Sequence, residues 1–161
     1  MKNFNEYGLK LCRYQAILFS LSREKTECSS PVFLRRFMYS GAARRMDSDG
    51  FLFESVSQAD LIDEINAEYG ETDYGKVKYN TEELYWIGYI YRYWCYVREI
   101  SSKRLYKIIK PEELKKLYYP YHSLDPAQAV ERIIEAKGLG EEEYIQRGLE
   151  LLRELRKKGK L

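Results

Sequence analysis

The chain has few side chains suited to making or breaking bonds. His122 is the single histidine, in the string YYPYHSLDP. A histidine acts as a general base when a positioned nucleophile lies within hydrogen-bond reach. Nothing in the sequence points to such a nucleophile, and Asp125 reads better as a helix cap because Pro126 follows it. Cys12, Cys28 and Cys95 are widely spaced and form neither a C-x-x-C pair nor a zinc pattern. They read as reduced thiols packed as small apolar groups. A glycine-rich phosphate loop and an H-E-x-x-H motif are both missing from the sequence. The expectation is a non-enzyme with no catalytic residues, no metal site and no cofactor.

Residue types suited to recognition are far more abundant. Residues 84–97, LYWIGYIYRYWCYV, hold five tyrosines and two tryptophans. On a helix, Leu84, Ile87, Tyr91, Trp94 and Arg98 form one stripe, and Trp86, Ile90, Tyr93 and Val97 form the next. Together the stripes cover more than half the circumference, as in a helix packed on several sides. The remaining face carries Tyr85, Tyr89, Arg92 and Tyr96. Tyrosine and arginine are enriched at binding hot spots. The basic pairs Arg35-Arg36, Arg44-Arg45 and Lys115-Lys116 suit phosphate contacts. Basic groups beside tyrosines also suit single-stranded nucleic acid, whose bases stack on rings. No recognised nucleic-acid motif accompanies the pairs, and a solvated surface is the simpler account.

The charge order sharpens this picture. The 161 residues carry a net charge of only +2. Residues 10–46 hold eight Lys/Arg and two Glu, residues 47–73 hold nine Asp/Glu and no Lys/Arg, and residues 74–116 hold ten Lys/Arg and five Glu. The simpler expectation is that the acidic segment lies against its basic neighbours and is neutralised there. The sharper one is an acidic strip, Asp60, Asp63, Glu64 and Glu68, that meets a cationic partner. Arg92 interrupts the longest apolar run, so no membrane span is expected. The start of the chain lacks the apolar centre and cleavage site of a signal peptide, which points to the cytoplasm.

The elements that must position these residues read as helices joined by short turns. A first helix runs through residues 9–24, with Leu9, Tyr14, Ile17, Leu18 and Leu21 as its apolar positions. Ser30-Pro31 starts a second, which is expected to continue past Gly41 to Met46. FLFES, residues 51–55, reads as a short extended piece or a buried link. Ser57 caps a helix that Gly70 ends. Asn80 and Glu83 form a capping box ahead of a helix over residues 81–99. Ser101 or Ser102 opens the next, Lys110-Pro111 restarts the chain as a helix, and Pro120 is expected to stop it. Asp125-Pro126 begins another, Gly138 and Gly140 break it, and an amphipathic helix closes the sequence. The expected fold is all-α: a single domain over residues 1–161 with six or seven helices around the central 81–99 helix.

Several strings resemble a known family. LCRYQAILFSLSRE, CSSPVFLRRFMYS, LYWIGYIYRYWCY and YYPYHSLDPAQAVERI look like small bacterial proteins, mostly from gut Firmicutes, that are described as antitoxins. The resemblance covers residues 9–134, and residues 135–161 read as a C-terminal helical extension outside it. It implies a gene close to a small toxin-like gene, in some cases one resembling an ADP-ribosyltransferase. It carries over no catalytic or binding residue. Many antitoxins join a DNA-binding fold to a disordered tail that folds on the toxin. This chain departs from that plan, because its helices are capped almost to the end. The implied function is therefore neutralisation of a cognate protein toxin by a folded surface, with Tyr85, Tyr89, Arg92, Tyr96 and the acidic strip as contacts. The alternative is a nucleic-acid-binding regulatory protein using Arg35, Arg36, Arg44 and Arg45. A third reading is an enzyme using His122.

Overall fold

The computed structural model describes residues 1–159, and only the backbone of residues 141–147. Among the described residues there are nine α-helices and no strand, against the six or seven helices expected. They are α1 (Glu6–Lys25), α2 (Ser30–Tyr39), α3 (Gly41–Asp47), α4 (Gln58–Tyr69), α5 (Thr81–Arg98), α6 (Ser102–Ile108), α7 (Pro111–Tyr121), α8 (Pro126–Ala136) and α9 (Glu141–Lys157). A 3-10 turn, Phe51–Glu54, stands where an extended piece or link is expected.

Local capping chemistry sets most of the boundaries. Asn5 accepts the Gly8 N–H at 2.9 Å to open α1. Ser57 accepts the Asp60 N–H at 3.1 Å to open α4, and Gly70 ends that helix at φ +81°. Asn80 and Glu83 make both bonds of the capping box, at 2.7 and 3.0 Å. Asp125 accepts the Ala127 N–H at 2.9 Å, and Pro126 opens α8.

Besides α1, which opens at Glu6 where residue 9 is expected, two boundaries differ from expectation. The second helix does not continue past Gly41. It breaks at Ser40, whose backbone is extended. The Ser40 hydroxyl donates to the Phe37 carbonyl at 2.7 Å and accepts the Ala43 N–H at 3.1 Å, so one side chain closes α2 and opens α3. Conversely, Pro120 does not stop α7, which runs on to Tyr121. A proline one residue from a helix end forfeits a single ladder bond and has little helix after it to disrupt.

The chain divides into two compact units. The first spans Met1–Ser123 and holds α1 to α7. The second begins at Leu124 and holds α8, whose apolar stripe is Ala129, Val130, Ile133 and Ile134, and α9. In the first unit, α1 and α5 run antiparallel, with Ser20 beside Thr81, Gln15 beside Gly88 and Gly8 beside Tyr96. Gly88 permits this close approach, since a Cβ there would stand 2.9 Å from the Gln15 carbonyl and 3.0 Å from Ala16 Cα. Leu11, Leu18, Phe19, Leu84, Ile87, Tyr91 and Trp94 are fully buried. α4 flanks α1, while α6 and α7 pack on α5. The core is thus shared by α1 and α5 and is not wrapped around α5 alone. No helix among the described residues is long and apolar enough to cross a membrane.

Candidate functional site

The aromatic helix exposes less than its sequence suggests. Of the four residues expected on its free face, Tyr85 is 40% exposed and Tyr89 is half-buried. Arg92 and Tyr96 are buried, so neither offers a surface to a partner. Arg92, only 1% exposed, is held from within through all three of its nitrogens. Its Nε donates to Gln15 Oε1 at 2.7 Å, one terminal nitrogen to Asp47 Oδ1 at 2.7 Å and the other to Ser102 Oγ at 2.8 Å. Asp47 also accepts the Ser102 N–H at 3.0 Å and its hydroxyl at 2.6 Å. The network joins α1, α3, α5 and α6. Tyr96 is covered by the N-terminal segment. Its hydroxyl donates to Asn5 Oδ1 at 2.8 Å, and its ring takes the space where a Cβ on Gly8 would stand.

A cavity of about 360 Å³ borders this network, lined in part by Asp47, Arg92, Cys95, Tyr96, Glu99 and Ser101. Its groups are poorly set for nucleophilic chemistry. Asp47 already accepts from Arg92 and twice from Ser102, and its side chain is 17% exposed. Burial pushes the Cys95 thiol up to about 12, and the nearby Arg92 charge offsets only part of that. Cys12 is likewise pushed up to about 12 by burial. Both thiols are therefore held protonated near neutral pH. All three cysteines are free and buried, in agreement with the reduced-thiol reading.

The outward face of α1 lies between the two patches singled out from sequence. On the α5 side stand Tyr85, Tyr89 and Tyr93, four residues apart and hence on one helix face. Burial raises the Tyr89 phenol to about 12, with Arg13, Tyr85 and Tyr93 among its electrostatic neighbours. Phe4 meets Tyr93 edge-on at 4.9 Å and extends the row. Ile17 on α1 is 46% exposed, although the apolar pattern places it in the core stripe. On the α4 side, Asp60 and Glu64 lie within electrostatic reach of Tyr14, and Asp63 pairs with Lys25 at 3.5 Å.

All four acidic residues of the strip are exposed, but they divide in two. Glu64 binds Arg45 through both oxygens, at 2.8 and 3.3 Å, and Glu68 accepts the Gly41 N–H at 3.0 Å. Those two are occupied by α3. Asp60 and Asp63 face α1, and Asp60 makes no ion pair among the described residues. The neutralised reading of the acidic segment thus holds for Glu54 and Glu64, which share Arg45, for Asp47, which pairs with Arg92, and for Asp63, which pairs with Lys25, while Asp49 pairs with Lys2 at 3.4 Å.

The arginine pairs also divide. Arg45 is held by Glu54 and Glu64, and Arg44 donates to the Tyr39 carbonyl at 3.4 Å. Arg35 and Arg36 instead line a cavity of about 550 Å³ with Tyr39, Tyr69, Thr72 and Tyr74. Lys115 pairs with Glu83 at 3.4 Å. His122 is exposed at the end of α7, where its ring stacks on Tyr118 at 4.5 Å and Nδ1 lies 2.9 Å from the Tyr118 carbonyl. No group of three or more histidine, cysteine or acidic residues suited to a metal occurs among the described residues.

Sequence reasoning missed Ile17 and the three tyrosines of the cavity. Ile17 had a signal: Lys10 and Arg13 precede it by seven and four residues, on the same polar face. Tyr39, Tyr69 and Tyr74 had none, because only the tertiary fold brings them together. Fold and site define an all-helical chain whose distinctive exposed side chains are tyrosines, arginines and carboxylates set on helix faces and one anchored loop. Comparison with protein-family models, curated proteins and solved structures finds no match.

Proposed function

We propose that this chain is a folded bacterial antitoxin that neutralises a cognate protein toxin in the cytoplasm by direct binding. The observation that carries the reading is the outward face of α1, with exposed Ile17, flanked by Tyr85 and Tyr89 on one side and by Asp60 and Asp63 on the other. An interface of standard size covers about 800 Å² on each partner, with aromatic anchors at its centre and charges at its rim. The face supplies both, on helices fixed by the α1–α5 core. The resemblance of residues 9–134 to antitoxins supports the same reading. Among the sequence candidates, Tyr85, Tyr89, Asp60 and Asp63 remain as contacts. Arg92 and Tyr96 drop out because they are buried, and Glu64 and Glu68 serve contacts with α3.

The test is co-expression with the toxin gene that neighbours this one. Growth is restored and a complex co-purifies. Tyr85→Ala combined with Tyr89→Ala weakens that complex at least tenfold, the scale of a hot-spot loss, while the far-ultraviolet spectrum is unchanged. Continued growth arrest with no complex sinks the proposal.

A further inference from the structure

The cavity between α2 and the loop after α4 is suited to a phosphate joined to a flat ring. Its two charged lining residues are Arg35 and Arg36, and no carboxylate lines it. Arg35 is exposed and makes no ion pair among the described residues. Arg36 is already set in place, since it donates to the Gly70 carbonyl at 2.5 Å and lies 5.5 Å from the Tyr69 ring centre. A guanidinium has five N–H donors in a rigid fork that matches phosphate oxygens. One donor is used on Gly70, so others remain for an anion.

The rings around these charges are also positioned in advance. Tyr39 is held edge-on by Tyr106 at 5.4 Å. Tyr74 is 74% exposed, yet its backbone is pinned. Its N–H donates to Thr72 Oγ1 at 3.2 Å, and its carbonyl accepts the Ser29 N–H at 3.0 Å. The next residue, Gly75, has φ +82°, and a Cβ there would stand 2.5 Å from Ser29 Oγ. The loop is anchored again where Ser30 N–H meets the Val77 carbonyl at 2.9 Å and Ser30 Oγ accepts the Tyr79 N–H at 2.9 Å. An exposed aromatic ring on a fixed backbone is an open stacking face. The volume of about 550 Å³ lies within the roughly 300–1,000 Å³ of small-ligand sites.

We propose that this cavity binds a phosphorylated nucleoside, with the phosphate on Arg35 and Arg36 and the base stacked among Tyr39, Tyr69 and Tyr74. The ligand is a free nucleotide or one unit of a single strand, which share this chemistry. The site is separate from the α1 face and does not depend on toxin binding.

The probes are ATP and AMP by calorimetry, and end-labelled single-stranded poly-dT and poly-rA by fluorescence anisotropy. Inorganic phosphate and phosphotyrosine serve as controls. Saturable binding is expected that weakens as salt rises. Arg35→Glu reduces it at least tenfold, and Tyr74→Ala by about five- to hundredfold, the range for losing one stacked base. Tyr74→Phe retains it, and so does Tyr85→Ala. Both altered positions are exposed, so thermal melting is unchanged and a loss of binding is not a loss of fold. Tighter binding of an oligonucleotide than of ATP assigns the site to a strand, and equal binding assigns it to the free nucleotide. The inference is overturned if neither kind of probe saturates at low salt. It is also overturned if both variants bind normally, or if phosphate or phosphotyrosine binds as tightly as the nucleotides.

Discussion

Arg92 and Arg35 carry the same guanidinium into opposite surroundings. Arg92 lies inside the α1–α5 core with a carboxylate, an amide and a hydroxyl on its three nitrogens. Arg35 lies on the outer face of α2 beside a cavity ringed with tyrosine. The difference shows that an arginine among aromatics is a recognition group only while nothing inside the protein has claimed its donors. Asp47 claims Arg92 from 45 positions away, and no comparable carboxylate reaches Arg35 among the described residues.

Removing each arginine breaks that comparison most directly. Arg92→Ala leaves the Asp47 carboxylate, Gln15 and Ser102 without their shared donor. Breaking a buried pair by removing one partner costs about 3–5 kcal/mol, which urea denaturation will read. Arg35→Ala stays within about 0.5 kcal/mol of the parent, as exposed substitutions do. Asp47→Ala should cost nearly as much as Arg92→Ala, and the double variant clearly less than the sum. Equal, small effects at positions 92 and 35 would remove the distinction.

Gly88→Ala approaches the same network from the helix backbone. The added methyl meets the Gln15 carbonyl and Ala16 Cα, which are backbone atoms with little freedom to move. Overpacking of this kind costs about 1–3 kcal/mol. Alanine's better helix propensity, worth about 1 kcal/mol, offsets only part of it. Because Gln15 bonds both Gly88 and Arg92, the strain should propagate to the buried arginine. A urea midpoint equal to that of the parent would refute the close approach of α1 and α5.

How much of this was legible in the sequence follows the range of the interactions. The caps at Ser57, Asn80 and Asp125 are local, and each was readable from a few neighbouring letters. Ser40 is also local, and the Ser-Gly dipeptide there is a turn signal that the apolar pattern through Met46 overrode. The helical class followed from periodicity. On α5, helical spacing identifies the face shared by Tyr85, Tyr89, Arg92 and Tyr96 and does not say which distant segment covers part of it. The N-terminal segment covers Tyr96, and Asp47 engages Arg92. Arg35 and Arg36 are legible as candidate phosphate contacts, but the loop returning across α2 that sets Tyr69 and Tyr74 beside them has no local signal.

Alkaline pH separates the interior from the surface in another way. Burial raises the Cys12 and Cys95 thiols from 9.0 to about 12 in the fold. The neutral thiol is the form the fold favours, so its contribution is complete below the unfolded value and is lost as pH rises from 9.0 toward about 12. Each thiol should then cost about 1 kcal/mol per pH unit across that window. Urea titrations above pH 9 should show a shallower decline when both cysteines are replaced by alanine, and the native thiols should react slowly with disulfide reagents at pH 8. An identical alkaline slope in the double variant would mean that the thiols are not the groups resisting ionisation.

The smallest expected effects divide the acidic strip. Glu64→Gln weakens the two-bond pair with Arg45. That pair is exposed on both sides, so the loss of stability should be at most about 1 kcal/mol, with binding to the proposed toxin partner unaffected. Asp60→Asn should leave stability within about 0.5 kcal/mol, because the exposed carboxylate has no ion partner to lose. It should instead slow association with the cationic face of the proposed toxin partner and reduce the salt dependence of that rate, as removal of a rim charge does. Two neutralising substitutions of similar size, four residues apart on one helix, would then report on different functions. If Asp60→Asn changes only stability, or Glu64→Gln changes only association, the division of α4 between fold and partner is wrong.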